Sequence, residues 1–171
     1  IQNVRMMGSL NGITLLNGYL QIDDSTADIE TFRNQLSQMS ILGVKDVSVV
    51  GLDSSNKTFV KDKTHKVDLI YASAVPLCSS YGNSKTEKTV EIANMTLYAQ
   101  YSAAIKLTLD TRDNCDLFLM PLGGGVFEND LDNIKRAIAA AYKTYKAKII
   151  EKRIVVYVLT FKYSLNNENA E

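Results

Sequence analysis

The chain is 171 residues long, 46% hydrophobic and 22% charged, the profile of an ordinary globular protein with enough chain for one core. Nineteen basic residues balance nineteen acidic ones, so the charge carries no footprint for nucleic acid. A lone histidine, His65, and two cysteines in no ligand spacing, Cys78 and Cys115, leave a zinc site or a Ser-His-Asp triad almost nothing to be built from.

Short apolar pieces around Val4 to Met7 and Ile13 to Leu20 predict strands. Ser25 then reads as a helix cap, with acidic Asp28 three positions on. Ile29, Phe32, Leu36 and Met39 follow at helical spacing, and Gly43 reads as the helix stop. Val44 to Gly51 is β-branched and predicts a strand. Asp53 to Lys66 is polar and without period, a surface connection with room for a short strand at Thr58 to Val60. Val67 to Val75 predicts a strand ended by Pro76.

A long helix is expected over Thr86 to Asp110, with Val90, Ala93, Leu97, Tyr101, Ile105 and Leu109 on one stripe. Tyr98 and Tyr101 read as core residues. Asp116 to Leu122 predicts a strand apolar on both faces, and Arg153 to Phe161 another. Between them a helix is expected from Asp130 to about Tyr145, with Leu131, Ile134, Ile138 and Ala141 inward. The cluster Lys143, Lys146, Lys148, Lys152 and Arg153 suits the end of that helix and its dipole. Strands alternating with helices predict an α/β fold. Residues 1–163 read as one domain and 164–171 as a disordered tail. No apolar run reaches the length of a membrane span and no signal peptide is visible, so the reduced cysteines fit a cytoplasmic protein.

The segment with most chemistry is Leu117 to Asp130, a strand that runs into Gly123-Gly124-Gly125 and then into a helix. Glycines let backbone N–H groups approach a ligand, and the helix adds unpaired N–H groups and the positive end of its dipole. That combination seats a phosphate or diphosphate. Asn129 reads as the helix cap, with Asp132 acidic three residues later. Asp130 and Asp132, beside the loop, are candidates for a general base or a charge-stabilising acid, and Glu128 is open to the same roles. Ser73 and Ala74 lie at a strand end that should border the same cleft.

The strand-Leu-Gly-Gly-Gly-Val-Phe-x-Asn block resembles the phosphate loop of a divergent macrodomain family related to poly(ADP-ribose) glycohydrolases. Relatives usually carry a glycine where Glu128 stands here. Asn17-Gly18-Tyr19-Leu20, the strand Val67 to Pro76 and the helix around Tyr98 to Ile105 are similar to further blocks of that family, in the same order over roughly residues 15 to 161. The resemblance implies a three-layer α/β/α sandwich with a mixed central sheet. It implies ADP-ribose at Gly123, Gly124, Gly125, Val126, Phe127, Asn129, Ser73 and Ala74, with Asp130 and Asp132 as the catalytic acids and no cofactor or metal. The implied activity is removal of ADP-ribose from modified protein, ubiquitin among the substrates, in the cytoplasm, a host cytosol in the case of a secreted bacterial effector.

Relatives carry glutamates at the positions of Tyr98 and Ser102, and a Ser-Gln-Phe-Asn-x-Leu-Glu block in an N-terminal part not found here. With Ile1 in place of an initiator Met, the chain then reads as the C-terminal section of a longer macrodomain, with the missing N-terminal section as its partner. The lost glutamates favour the alternative, a non-catalytic module that binds ADP-ribose or ADP-ribosylated protein. A dinucleotide-binding fold is a third reading, weakened because the three glycines lack G-x-G-x-x-G spacing.

Overall fold

In the computed structural model, which describes residues 11–16, 18–39, 41–52 and 59–159, the chain is mixed α/β, with three α-helices and three two-stranded sheets among those residues. Strands β1 (Ile13–Leu16) and β2 (Tyr19–Ile22) form an antiparallel hairpin with Ile13 opposite Ile22. The expected strand over Ile13 to Leu20 is thus broken by a turn, where Gly18 takes a left-handed φ of 87°. Helix α1 (Ile29–Gln35) is capped by Asp28, which accepts from the amides of Glu30 and Thr31, and not by Ser25. The Ser25 amide and hydroxyl are both committed to Asp23, at 3.0 and 2.6 Å, so the chain is still turning there. A 3₁₀ turn, Leu36–Gln38, ends the helix, and Gly43 lies inside the next strand.

Strands β3 (Leu42–Leu52) and β4 (Phe59–Tyr71) form a long antiparallel ribbon. Most of the stretch expected to be a polar connection is therefore strand. The strand expected over Val67 to Val75 stops at Tyr71, and Ala72 to Leu77 continue outside any ladder. Where the ribbon's register shifts between Val44 and Val47, Asp46 takes a φ of 56° and its amide donates to Asp68 Oδ1 at 2.9 Å. Arg112, at the end of helix α2 (Glu87–Thr111), donates Nε to Asp68 Oδ2 at 2.6 Å and Nη2 to Asp68 Oδ1 at 2.8 Å and Asp46 Oδ1 at 3.0 Å. This fork pins the ribbon to the helix and holds the Asp68 carboxyl down to about 2.

A carboxyl depressed on folding stabilises the fold above its unfolded value, 3.8, and loses that contribution as pH falls towards 2. Arg112→Gln is expected to lower stability at neutral pH, by a small amount because the pair is exposed. Urea melts should show the difference from the parent shrinking from pH 4 downward. A gap that does not change with pH would mean that the fork contributes packing, not charge.

Helix α2 carries a capping box between Thr86 and Thr89 and buries Ala93, Leu97, Tyr101, Ile105 and Leu109, as the stripe predicts; Val90 packs half-buried. Tyr98 departs from the expectation, exposed and within 3.3 Å of Thr144. Strand β5 (Asp116–Leu119), helix α3 (Leu131–Glu151) and strand β6 (Val155–Val158) make a parallel βαβ unit, with Asp116 opposite Val155. Helix α3 runs six residues past Tyr145. Its Ile134, Ile138 and Ala141 face α2, and Leu131 is 52% exposed at its first turn.

One core lies among α2, α3, β5 and β6; the other joins β1, β2 and α1 to Val75, Leu77 and the start of α2. Strand β5 buries Leu117 and Leu119 but leaves Phe118 57% exposed, stacked on Tyr157 with ring centroids 5.0 Å apart. Among the described residues the two parallel strands are therefore covered on one face only, against the expectation from their apolar composition. Cys78 and Cys115 are both free. Among the described residues no helix is long and apolar enough to cross a membrane. The expected strand at Val4 to Met7, the residues 53–58, the last part of the strand ending at Phe161 and the tail from residue 164 lie outside the described residues.

Candidate functional site

The glycine loop leaves the C-terminal end of β5 and is tied down at once. The Tyr101 hydroxyl donates to the Met120 carbonyl at 2.8 Å and accepts from the Leu122 amide at 2.9 Å, fixing the strand exit to α2. Burial pushes the Tyr101 phenol up, so it stays protonated and able to serve both bonds. Gly123 then takes a left-handed φ of 75°. The Gly124 amide donates to Pro121 at 3.3 Å, that of Glu128 to Gly125 at 2.9 Å and that of Asn129 to Gly123 at 3.0 Å, so the loop closes on itself.

Its other contacts go to the segment Val75–Cys78 that follows β4. The Leu77 amide donates to the Phe127 carbonyl at 2.8 Å, and the Cys78 thiol to the Val126 carbonyl at 3.1 Å. Asn129 Nδ2 donates to the Val75 carbonyl at 2.9 Å, with the Phe127 and Gly123 carbonyls at 3.3 and 3.5 Å. Asn83, fully buried, supports that segment from the far side: its Nδ2 donates to Pro76 and Leu20, and its Oδ1 accepts from the Ile22 amide, each at 2.8 Å. The amides of Gly125, Val126 and Phe127 donate to nothing among the described residues. They are the groups an anion would use.

Phe127 sits edge-on between Tyr19 and Tyr81, with centroids 5.5 and 5.0 Å away, and the tyrosines are 5.1 Å apart. This half-buried trio joins the β1–β2 hairpin to the loop and forms an aromatic wall beside the unspent amides.

The residues expected at the site are brought together unequally. Gly123, Ala74 and Asn129 are in direct contact: a Cβ on Gly123 would lie 2.5 Å from Ala74 Cβ and 2.6 Å from Asn129 Nδ2. Ala74 is only 6% exposed, so its side chain is part of the core beneath the loop and not of the loop's open face. Ser73 is exposed, and its backbone is held on both sides by the Gln100 side-chain amide. Val126 is 72% exposed and Gly125 opens on free space. Asn129 does not cap α3. It is 5% exposed and works as a crosslink under the loop, while Asp130 caps the helix by accepting from the amides of Asp132 and Asn133 at 2.9 and 3.0 Å.

Asp132 pairs with Lys135 at 3.0 Å on the exposed side of the first turn, and that partner holds its carboxyl below the ordinary value. Lys135 thus occupies the Asp132 carboxylate, whereas Asp130 makes no ion pair among the described residues. Glu128 stands at a φ of 57°, a conformation glycine adopts freely and other residues rarely do.

The residues that sequence reasoning missed are those that hold the loop: Gln100, Asn83 and the hydroxyl of Tyr101. Gln100 and Tyr101 lie on α2 and Asn83 shortly before it, and no periodicity or spacing announces a side chain that reaches across 19 to 63 residues of chain. No family model and no curated protein matches this chain. Two shallow depressions lie away from the loop. One is lined by Asn114, Cys115, Asp116, Arg153 and Val155, the other by α3 and β6 side chains including Tyr142 and Val156. Neither approaches the unspent amides. Among the described residues no group of three or more His, Cys, Asp or Glu side chains could hold a metal ion.

Proposed function

We propose that this chain is a macrodomain-like module that binds ADP-ribose, free or attached to protein, with the diphosphate on the glycine loop. The observation that carries the reading is the loop itself, locked to Val75–Cys78 by three hydrogen bonds, yet with the amides of Gly125, Val126 and Phe127 unspent among the described residues. It lies at the carboxyl end of β5, where open α/β sheets hold ligands. Phe127 faces Tyr19 and Tyr81, which gives a ribose or base an apolar wall to lie against. The ordered similarity over residues 15 to 161 to divergent macrodomains supports ADP-ribose over other diphosphates, and a three-layer sandwich as the full architecture.

Hydrolytic removal of ADP-ribose from protein, ubiquitin included, is the second reading, and the position of Asp130 favours it. Its carboxylate is exposed at the loop's exit and carries no ion pair among the described residues. An acid there would stabilise the oxocarbenium-like charge at the ribose or activate water. Calorimetric titration with ADP-ribose, ADP and NAD tests the first reading. Micromolar binding of ADP-ribose is expected, about −8 kcal/mol, with ADP weaker and NAD no better. Absence of binding, or preference for NAD, would remove the reading. Turnover of an ADP-ribosylated protein that survives in Asp130→Asn would remove the role given to that acid.

A further inference from the structure

A diphosphate brings two negative charges to the loop, and backbone amides alone supply partial ones. Helix α3 begins four residues beyond the last unspent amide, so its dipole helps but does not neutralise. Among the described residues one cation reaches the loop: Lys85 Nζ donates to the Glu128 carbonyl at 3.2 Å. Lys85 makes no ion pair among the described residues, whereas Arg33, Lys106, Arg112, Lys135 and Lys152 are each held by a carboxylate.

The backbone that carries Lys85 is fixed on both sides. Asn83 is buried and fully bonded, and Thr86 caps α2. The ammonium has three donors and spends one on Glu128. Beneath the same loop the Asn129 side chain, 95% buried, keeps Oδ1 without any partner. Its Nδ2 faces three carbonyls, which fixes the amide orientation and leaves Oδ1 without a hydrogen-bond partner among the described residues. A phosphate offers no donor to that oxygen, so the Asn129 amide holds the loop and the attraction for an anion falls to the unspent amides and to Lys85.

We infer that Lys85 is the cation of this seat and sets its preference for a doubly charged phosphate ligand. The inference rests on the loop being the ligand seat. A charge-assisted bond from an ammonium to phosphate is the strong kind, and its loss should weaken binding about tenfold.

The experiment titrates the parent chain, Lys85→Met and Lys85→Arg with ADP-ribose and, separately, with inorganic pyrophosphate, at two salt concentrations. Thermal melts of all three come first; the exposed Lys85 side chain should leave them alike. The expected result is about tenfold weaker binding of both probes to Lys85→Met, with a shallower salt dependence, and near-parent binding to Lys85→Arg. Equal binding of both probes to the parent and Lys85→Met overturns the inference and leaves ADP-ribose recognition standing. Pyrophosphate binding that depends on Lys85, without any ADP-ribose binding, supports the inference and removes the ADP-ribose reading. If neither probe binds the parent, both fall.

Discussion

Asn129→Asp is expected to destabilise the chain by about 3 kcal/mol or more at pH 7, and by much less at pH 4. The substitution keeps shape and replaces one NH₂ by oxygen. In the parent that NH₂ points at three carbonyls, those of Val75, Phe127 and Gly123, from a residue that is 5% exposed. An ionised carboxylate there would set an oxygen against three carbonyl oxygens where an NH₂ now donates. Its protonated form can instead donate O–H to the Val75 carbonyl and leave the second oxygen where Oδ1 already stands unpartnered.

The carboxyl's folded value is therefore raised above its unfolded one. For such a group stability is kept at low pH and lost as pH rises past the unfolded value, near 4. Urea denaturation at pH 4, 5.5 and 7 should show the gap to the parent widening at each step. A gap that is constant, or one under about 0.5 kcal/mol at pH 7, would mean that Asn129 is not the crosslink that fixes the loop to Val75. Removal of the whole group in Asn129→Ala is a milder change. It loses the Nδ2 bonds but also relieves the unmet Oδ1, and the two terms are of similar size, about 1 to 3 kcal/mol each.

The same residue shows where the sequence is legible and where it is not. Asn129 and Asp130 are both good helix caps, and Asp132 suits either assignment by spacing. What decides between them is the Val75 carbonyl, 54 residues away, which claims the Asn129 amide. Helices α2 and α3 were readable because their stripes are long and their inner faces meet each other: Leu97, Tyr101 and Ile105 against Ile134, Ile138 and Ala141. In the β3–β4 ribbon the apolar parts, Val44 to Gly51 and Val67 to Tyr71, were readable and the polar first part of β4 was not. A ladder is made by backbone groups, and a polar strand such as the stretch leading to the exposed His65 and Lys66 gives no alternation to read. In β5 and β6 the error ran the other way. Apolar residues on both sides suggested two covered faces, but Phe118, Val155 and Tyr157 lie on a face that nothing among the described residues covers. The glycine loop itself was legible as a turn between strand and helix from its glycines. The side chains that tie it and the neighbouring Ser73–Cys78 segment were not, because their partners lie 19 to 63 residues away in the chain.

Gly123 and Gly125 separate the loop's own shape from the ligand seat proposed for it. Gly123→Ala is expected to cost about 2 to 4 kcal/mol. Its φ of 75° carries about 1 kcal/mol for any residue with a Cβ. That Cβ would also meet Ala74 and Asn129 at 2.5 and 2.6 Å, and both neighbours are buried and bonded, so the overlap adds about 1 to 3 kcal/mol. Gly125→Glu meets nothing within 4 Å of its Cβ, so its stability should stay within about 0.5 kcal/mol of the parent. It nonetheless brings a carboxylate next to the unspent amides of Val126 and Phe127. A like charge beside a bound diphosphate costs several kcal/mol, so ADP-ribose should bind at least about a hundredfold more weakly. Denaturation curves and titrations of the two variants form one crossed test: lower stability in Gly123→Ala, and parental stability with lost binding in Gly125→Glu. Parental affinity in Gly125→Glu would place any ligand elsewhere and leave the three glycines as a tight turn, whose shape Gly123 alone explains.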